Sequence, residues 1–218
     1  MQKAQGFIAD SYHFYEIAID GYLKSKPRYE IHRQNDALVS IVFSALALEA
    51  FINEVLSLAK AAKQDGFTEP FLDNLIESID ESNSNKKSTR EKFMLASEAL
   101  GSGFKKGENP YQDFADLFRL RDCLVHLKPE DRIETEDNGE IKYLGRKLTE
   151  RLRSKDIFQQ HTRLESITLL VSTAKAAFWA CMTASNMVNA ILDKIPQSEF
   201  TKDNEVLNVY RSWFQPPT

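Results

Sequence analysis

The stretch ALVSIVFSALALEAFINEVLSLA, residues 37–59, decides the fold class. Leu38, Ile41, Val42, Ala45, Leu48, Ile52, Val55, Leu56 and Ala59 recur at three- and four-residue steps, which gathers them into one wide stripe on an α-helix. The periodicity predicts a helix from about Arg33 to Lys63, roughly 45 Å long at 1.5 Å per residue, the spine of a helical bundle. Its longest apolar run, Ala37 to Leu48, is broken by Ser40 and Ser44 and is shorter than a bilayer span.

Working outward, the same periodicity predicts a helix from Phe7 to Lys24 ahead of Pro27. Thr68 to Ile79 reads as a short helix, ending in the polar segment 81–87. Ser88 with Glu91 three residues on is a capping-box pattern for a helix reaching Leu100. Pro110 opens the next helix, and a basic helix is expected from Arg146 to Lys155. A final long helix, Arg163 to Lys194, precedes an amphipathic tail from Val206 to Phe214. Between them, residues 132–144 alternate around Asn138-Gly139, the pattern of a tight hairpin. The expected class is all-α, a single domain over residues 1–218, a bundle of about five to eight helices with one small β-hairpin insertion.

Composition narrows the function classes. The 218 residues are 42% hydrophobic, enough for a packed core, and carry a net charge of -4, so nucleic-acid binding would rest on local patches. The first residues lack a basic segment followed by an apolar core, so no signal peptide is expected, and a cytoplasmic location is. Cys123 and Cys181 lie in apolar helical surroundings as reduced thiols. His13 with Glu16 and His161 with Glu165 lack the paired spacing of a helical metal site, and neither a metal nor a cofactor is expected. The loop 101–107 is glycine-rich but follows no strand, unlike a phosphate cradle.

The chemistry concentrates in Arg119-Leu-Arg121-Asp122-Cys-Leu-Val-His126. Charged groups inside an apolar helical stretch cost several kcal/mol if buried unpaired, so they face solvent, face a partner or form a site. Asp122 and His126, four residues apart, lie about 40° apart on one helix face. There Asp122 would orient the imidazole, and the nearby helix C-terminus before Pro129 would favour its charged form. Arg121 lies about 140° from His126, whereas Arg119, seven residues back, is nearly eclipsed with it. Either the helix end unwinds, or a second chain supplies the complementary arginine and histidine across a two-fold axis. The plainer alternative is a pair of solvated surface residues with His126 capping the helix.

Arg121 followed by Asp122 and, after four further positions, His126 resembles the signature of the HEPN superfamily, over a region spanning roughly Gln34 to Met187. The upstream segment Ala45 to Glu54 is similar to that family's long earlier helix, with a polar residue facing the site. The resemblance implies an all-α domain that pairs as a homodimer with both motifs in one cleft. In active members it implies a metal-independent endoribonuclease, often a toxin or defence effector. Other members are non-catalytic helical modules that bind a partner protein or nucleotide. The expected partners are therefore a second copy of the chain, RNA, and an antitoxin or nucleotidyltransferase, with neither DNA nor membrane. In this reading His126 is the general acid/base, Arg121 with Arg119 stabilises the phosphorane, and Asp122 orients His126.

Glu49 and Asn53 are supporting candidates one turn apart on the long helix. Glu49 either marks the solvent edge of the stripe or pairs with Arg121 or Arg119. Arg146, Lys147, Arg151 and Arg153, with Lys142 and Lys155 nearby, form the best basic patch. Contact with RNA phosphates and a solvated amphipathic helix are both open for it.

Overall fold

A computed structural model describes residues 9–26, 35–126, 134–135, 141–142, 146–158, 167–202 and 205–218. The first five helices are α1 (Asp10–Ser25), α2 (Asn35–Gln64), α3 (Pro70–Ser84), α4 (Thr89–Ala99) and α5 (Tyr111–Val125). After β1 (Glu134–Thr135) and β2 (Ile141–Lys142) come α6 (Arg146–Ser154), α7 (Ile167–Leu170), α8 (Ala174–Leu192), α9 (Glu199–Lys202) and α10 (Glu205–Trp213). The class is all-α, with more helices among the described residues than the five to eight expected. The surplus comes from two four-residue helices, α7 and α9, too short to register as periodicity.

Of the hairpin segment 132–144, the described residues pair antiparallel at two positions, Glu134 opposite Lys142 and Thr135 opposite Ile141. The Asn138-Gly139 turn lies outside the described residues, as do Phe7, Ile8, Arg33, Gln34, Pro129 and Arg163.

α2 is buried along its length, from Ala37 through Ile41, Leu48, Phe51 and Ile52 to Ala59 and Ala62. α1, α8, α3, α5 and α4 all pack against it, and α1 and α8 also touch each other. It is long and apolar enough to cross a membrane, with mean hydropathy 1.8 over the best window, which the interrupted run from Ala37 did not suggest. Here 56% of that window is buried by protein. A core helix surrounded by neighbours needs the same composition.

Close packing of α1 on α2 depends on Gly21. A Cβ there would come within 2.7 Å of the Asp36 carbonyl oxygen and 3.1 Å of the Ser40 nitrogen, both backbone atoms. Between α1, α2 and α8, the Tyr15 hydroxyl donates to the Gln215 carbonyl at 2.8 Å, and Tyr15 stacks on Phe214. This holds the C-terminal tail against the core.

Helix ends follow local chemistry. Ser88 and Glu91 form the expected capping box, with the Glu91 carboxylate accepting the Ser88 N–H at 2.8 Å. α3 runs five residues past Ile79, because the polar residues 80–84 still propagate the helix until Lys86 turns left-handed at φ 53°. The Lys86 and Lys87 N–H groups then close back onto the Asn83 and Ser82 carbonyls, satisfying acceptors that the helix leaves open.

The long helix expected from Arg163 to Lys194 is instead interrupted at Val171-Ser172-Thr173. Thr173 caps α8 by accepting the Ala176 N–H at 3.0 Å, while its hydroxyl donates to the Ile157 carbonyl at 2.7 Å. The break is a tertiary effect: a β-branched residue is held extended because its hydroxyl is anchored after α6.

Gly21→Ala is expected to lower stability by about 1–3 kcal/mol through overpacking, read from denaturant midpoints at unchanged m-value. Burial holds Tyr15 and Tyr210 neutral well above the ordinary tyrosine range, and the Glu54 carboxylate adds to this at Tyr210. Folded-state values raised above the unfolded ones give stability that is intact below about pH 10 and falls as pH rises beyond it. Tyr15→Phe should therefore lose less stability than the parent between pH 9 and 11; an equal loss contradicts the assignment.

Candidate functional site

α5 divides its residues between two surroundings. Phe114, Leu117, Phe118 and Leu120 enter the core, where Phe114 lies 4.7 Å from Phe93 and 4.9 Å from Phe118 between ring centroids. Gln112, Ala115, Arg119, Asp122 and His126 follow one another at steps of three, four, three and four, and so share a single stripe. The helix stops at Val125, and His126 adopts φ -113°, ψ 34°. Its N–H still donates to the Asp122 carbonyl at 2.9 Å, which keeps the residue on the helical path. Val125 and His126 are both exposed, and among the described residues the imidazole has no hydrogen-bond partner.

Arg121 points elsewhere. Its side chain is 22% exposed and runs toward α2, with Nη2 3.6 Å from the Glu49 carboxylate. Nη1 donates to the Asp122 carboxylate at 3.0 Å, and Nε is buried with no hydrogen-bond partner among the described residues. Glu49 combines the two roles open to it: its side chain is 44% exposed, at the solvent edge of the stripe, and it lies within ion-pair distance of Arg121. With both side chains partly exposed, that pair contributes under about 1 kcal/mol. Asp122 is engaged by Arg121, and no described contact joins its carboxylate to the His126 ring. Asn53 faces another helix, accepting from the Lys92 ammonium of α4 at 3.1 Å. The structure thus brings Glu49, Arg121 and Asp122 together through the Arg121 side chain, while Arg119, Asp122 and His126 share the outer stripe of α5.

Asp116 escaped the sequence reading. Its side chain is fully buried on α5, and the Arg151 guanidinium from α6 grips it in a fork, Nε at 2.9 Å from Oδ2 and Nη2 at 2.8 Å from Oδ1. Arg119 Nη1 donates to the same Oδ1 at 3.1 Å. A buried carboxylate needs such compensation, and the fork of arginine matches it better than an ammonium would. The carboxylate in turn raises the Arg151 pKa further. The signal was present as an aspartate between buried neighbours in Phe114-Ala-Asp-Leu-Phe, but its partner is 35 residues away.

The basic patch on α6 is accordingly split. Arg151 binds Asp116, Lys155 pairs with Asp113, and Arg153 is exposed. The side chains of Lys142, Arg146 and Lys147 lie outside the described residues. Leu148 and Leu152 are buried on the apolar side of α6.

A solvent-open cleft of about 600 Å³ opens beside this cluster. The N-terminal end of α4, Lys106 of the α4–α5 connection, the α5 stripe and Arg151 line it. The Tyr111 hydroxyl donates to the Arg90 carbonyl at 3.1 Å and ties the first turn of α5 to that of α4. Gln112, Ala115 and Arg119 form its α5 wall, so the stripe that ends at His126 begins inside the cleft.

No protein-family profile, curated protein or solved structure matches the chain.

Arg151 and Arg153 are two residues apart on α6 but differ in what they touch. Arg151→Ala leaves the buried Asp116 short of its principal partner and should cost about 3 kcal/mol. Arg153→Ala should stay within about 0.5 kcal/mol of the parent. Urea unfolding of the two variants checks the contrast; equal losses would contradict the bidentate pairing.

Proposed function

We propose that the chain is a metal-independent endoribonuclease of HEPN type that acts as a homodimer in the cytoplasm, in a toxin or defence role. The observation that carries this reading is the exposed His126 at the end of α5, with Arg119 on the same helical stripe two turns away. The two residues differ by about 20° around the helix axis. Imidazole changes protonation near neutrality and exchanges protons, while guanidinium holds charge on phosphate oxygens.

The reaction assigned to this pair is internal transesterification of RNA. A histidine accepts the proton of a 2'-hydroxyl as that oxygen attacks the adjacent phosphorus. The bond to the 5'-oxygen breaks, a second histidine gives that oxygen a proton, and the products are a 2',3'-cyclic phosphate and a free 5'-hydroxyl. One His126 per chain cannot be base and acid in the same step, and pairing of two chains supplies both. Exposed Val125 beside His126 leaves apolar surface at this edge, consistent with a partner protomer.

Within one chain, Arg119 is the arginine suited to hold the phosphate. Arg121 has a positioning role, clamped between Glu49 and Asp122, where it ties the catalytic end of α5 to α2. That clamp also favours a second reading, a non-catalytic HEPN-like module binding a partner protein or nucleotide, in which Arg121 serves only the fold. An antitoxin or nucleotidyltransferase partner fits either reading.

Purified protein should cleave single-stranded RNA in the presence of a chelator, leaving 2',3'-cyclic ends, and His126→Ala should reduce the rate by at least about a hundredfold. Equal behaviour of the two proteins across a broad RNA panel removes the nuclease reading and leaves the binding module.

A further inference from the structure

The cleft walled by α4, α5 and α6 has a charge pattern that the cleavage site alone does not require. Four cations line it, Arg90, Lys106, Arg119 and Arg151, against two carboxylates, Asp116 and Glu91. Both carboxylates are already occupied. Asp116 is held by Arg151 and Arg119. Glu91 accepts the Ser88 N–H at 2.8 Å and its hydroxyl at 2.7 Å, with Oε2 in the capping box. Arg90 and Lys106, by contrast, form no close ion pair among the described residues, Arg90 feeling the Glu91 carboxylate only at longer range, and Lys106 is exposed while Arg90 is half-buried.

Unpaired cations set around an open, polar concavity are what a polyanion requires. The cleft is also directional. Its α5 wall, Gln112, Ala115 and Arg119, continues along the same helical stripe to Asp122 and His126, with Arg119 about 10 Å from His126 along the axis. A chain of phosphates lying on this stripe would meet Arg119 and His126 at one end and Arg90 with Lys106 at the other.

We propose that this cleft is an extended subsite that holds backbone phosphates of a single-stranded RNA, several nucleotides from the scissile bond. Arg90 and Lys106 make the phosphate contacts. Asp116 acts as a positioning residue, fixing Arg151 and Arg119 along the wall. The proposal rests on the reading of His126 as the cleavage site for its choice of RNA, but it concerns binding only. It assigns the subsite to charge on the backbone rather than to base edges, so it predicts little dependence on sequence.

The test uses the full-length protein and a fluorescent 2'-O-methyl oligoribonucleotide, which binds but lacks the attacking hydroxyl. Anisotropy titrations across a salt series give affinity and its salt slope. The parent should bind at low salt. Arg90→Ala with Lys106→Ala should weaken binding roughly tenfold and reduce the magnitude of the slope by about 1.4, the value for two lost single-strand phosphate contacts. A control pair, Lys24→Ala with Lys63→Ala, removes the same charge elsewhere and should leave both quantities near those of the parent. Unchanged melting curves for both pairs exclude loss of folding, and Arg90→Gln with Lys106→Gln provides a second, less truncating version.

Binding unaffected by the cleft pair, equal weakening by the control pair, or no binding by the parent at low salt each overturns the proposal. Failure of the cleavage reading looks different: the parent binds and responds to the cleft pair, yet cuts no RNA.

Discussion

Enclosing α2 on most of its sides is the constraint from which the rest of the architecture follows. A thirty-residue helix whose apolar side chains project in several directions must be covered by several neighbours, and α1, α8, α3, α4 and α5 provide that cover. Close approach is possible where a neighbour is small, as at Gly21 against the Asp36 and Ser40 backbone. Three polar side chains of α2 act as tethers to its neighbours. Glu54 accepts the Ser11 N–H at 2.8 Å and the Tyr210 hydroxyl at 2.5 Å, joining α1 and α10. Asn53 reaches Lys92 of α4, and Glu49 reaches Arg121 of α5.

The last of these tethers aims the candidate site. Because α5 presents its aromatic residues to the core and Arg121 to α2, Arg119, Asp122 and His126 are left on its exposed side. Asp116 completes the arrangement from the other side. Its buried carboxylate is neutralised by Arg151, so α6 is held against α5 while the cleft keeps surplus positive charge. The same ion pair therefore contributes to stability and shapes the electrostatics of the opening. Loss of Arg151 would disturb both, whereas loss of Arg90 or Lys106 would disturb only the second.

The proposed chemistry needs little beyond these parts. A proton-transfer group at a solvent-exposed helix end and a fixed guanidinium suffice for transesterification, provided a second protomer contributes the complementary histidine. Arg121, first in the motif by sequence, has the more structural surroundings; Arg119, second in rank there, shares the face of His126.

Periodicity alone determined much of this molecule. The long helix, the capping box at Ser88 and Glu91, the helix through Arg119 and Arg121, and the all-α class are local patterns, set by 3.6-residue spacing and by side chains within one turn of each other. The angular separation of Arg119 and Arg121 from His126 is likewise a consequence of helical geometry, legible before any folding. Tertiary structure decided what is non-local: that Glu49 meets Arg121 across 72 positions, that Arg151 turns inward to Asp116, and that Thr173 breaks an otherwise continuous helix by bonding to Ile157. Each depends on which helix packs opposite, and pairing of a buried charge is fixed by that neighbour rather than by the residues beside it in the chain.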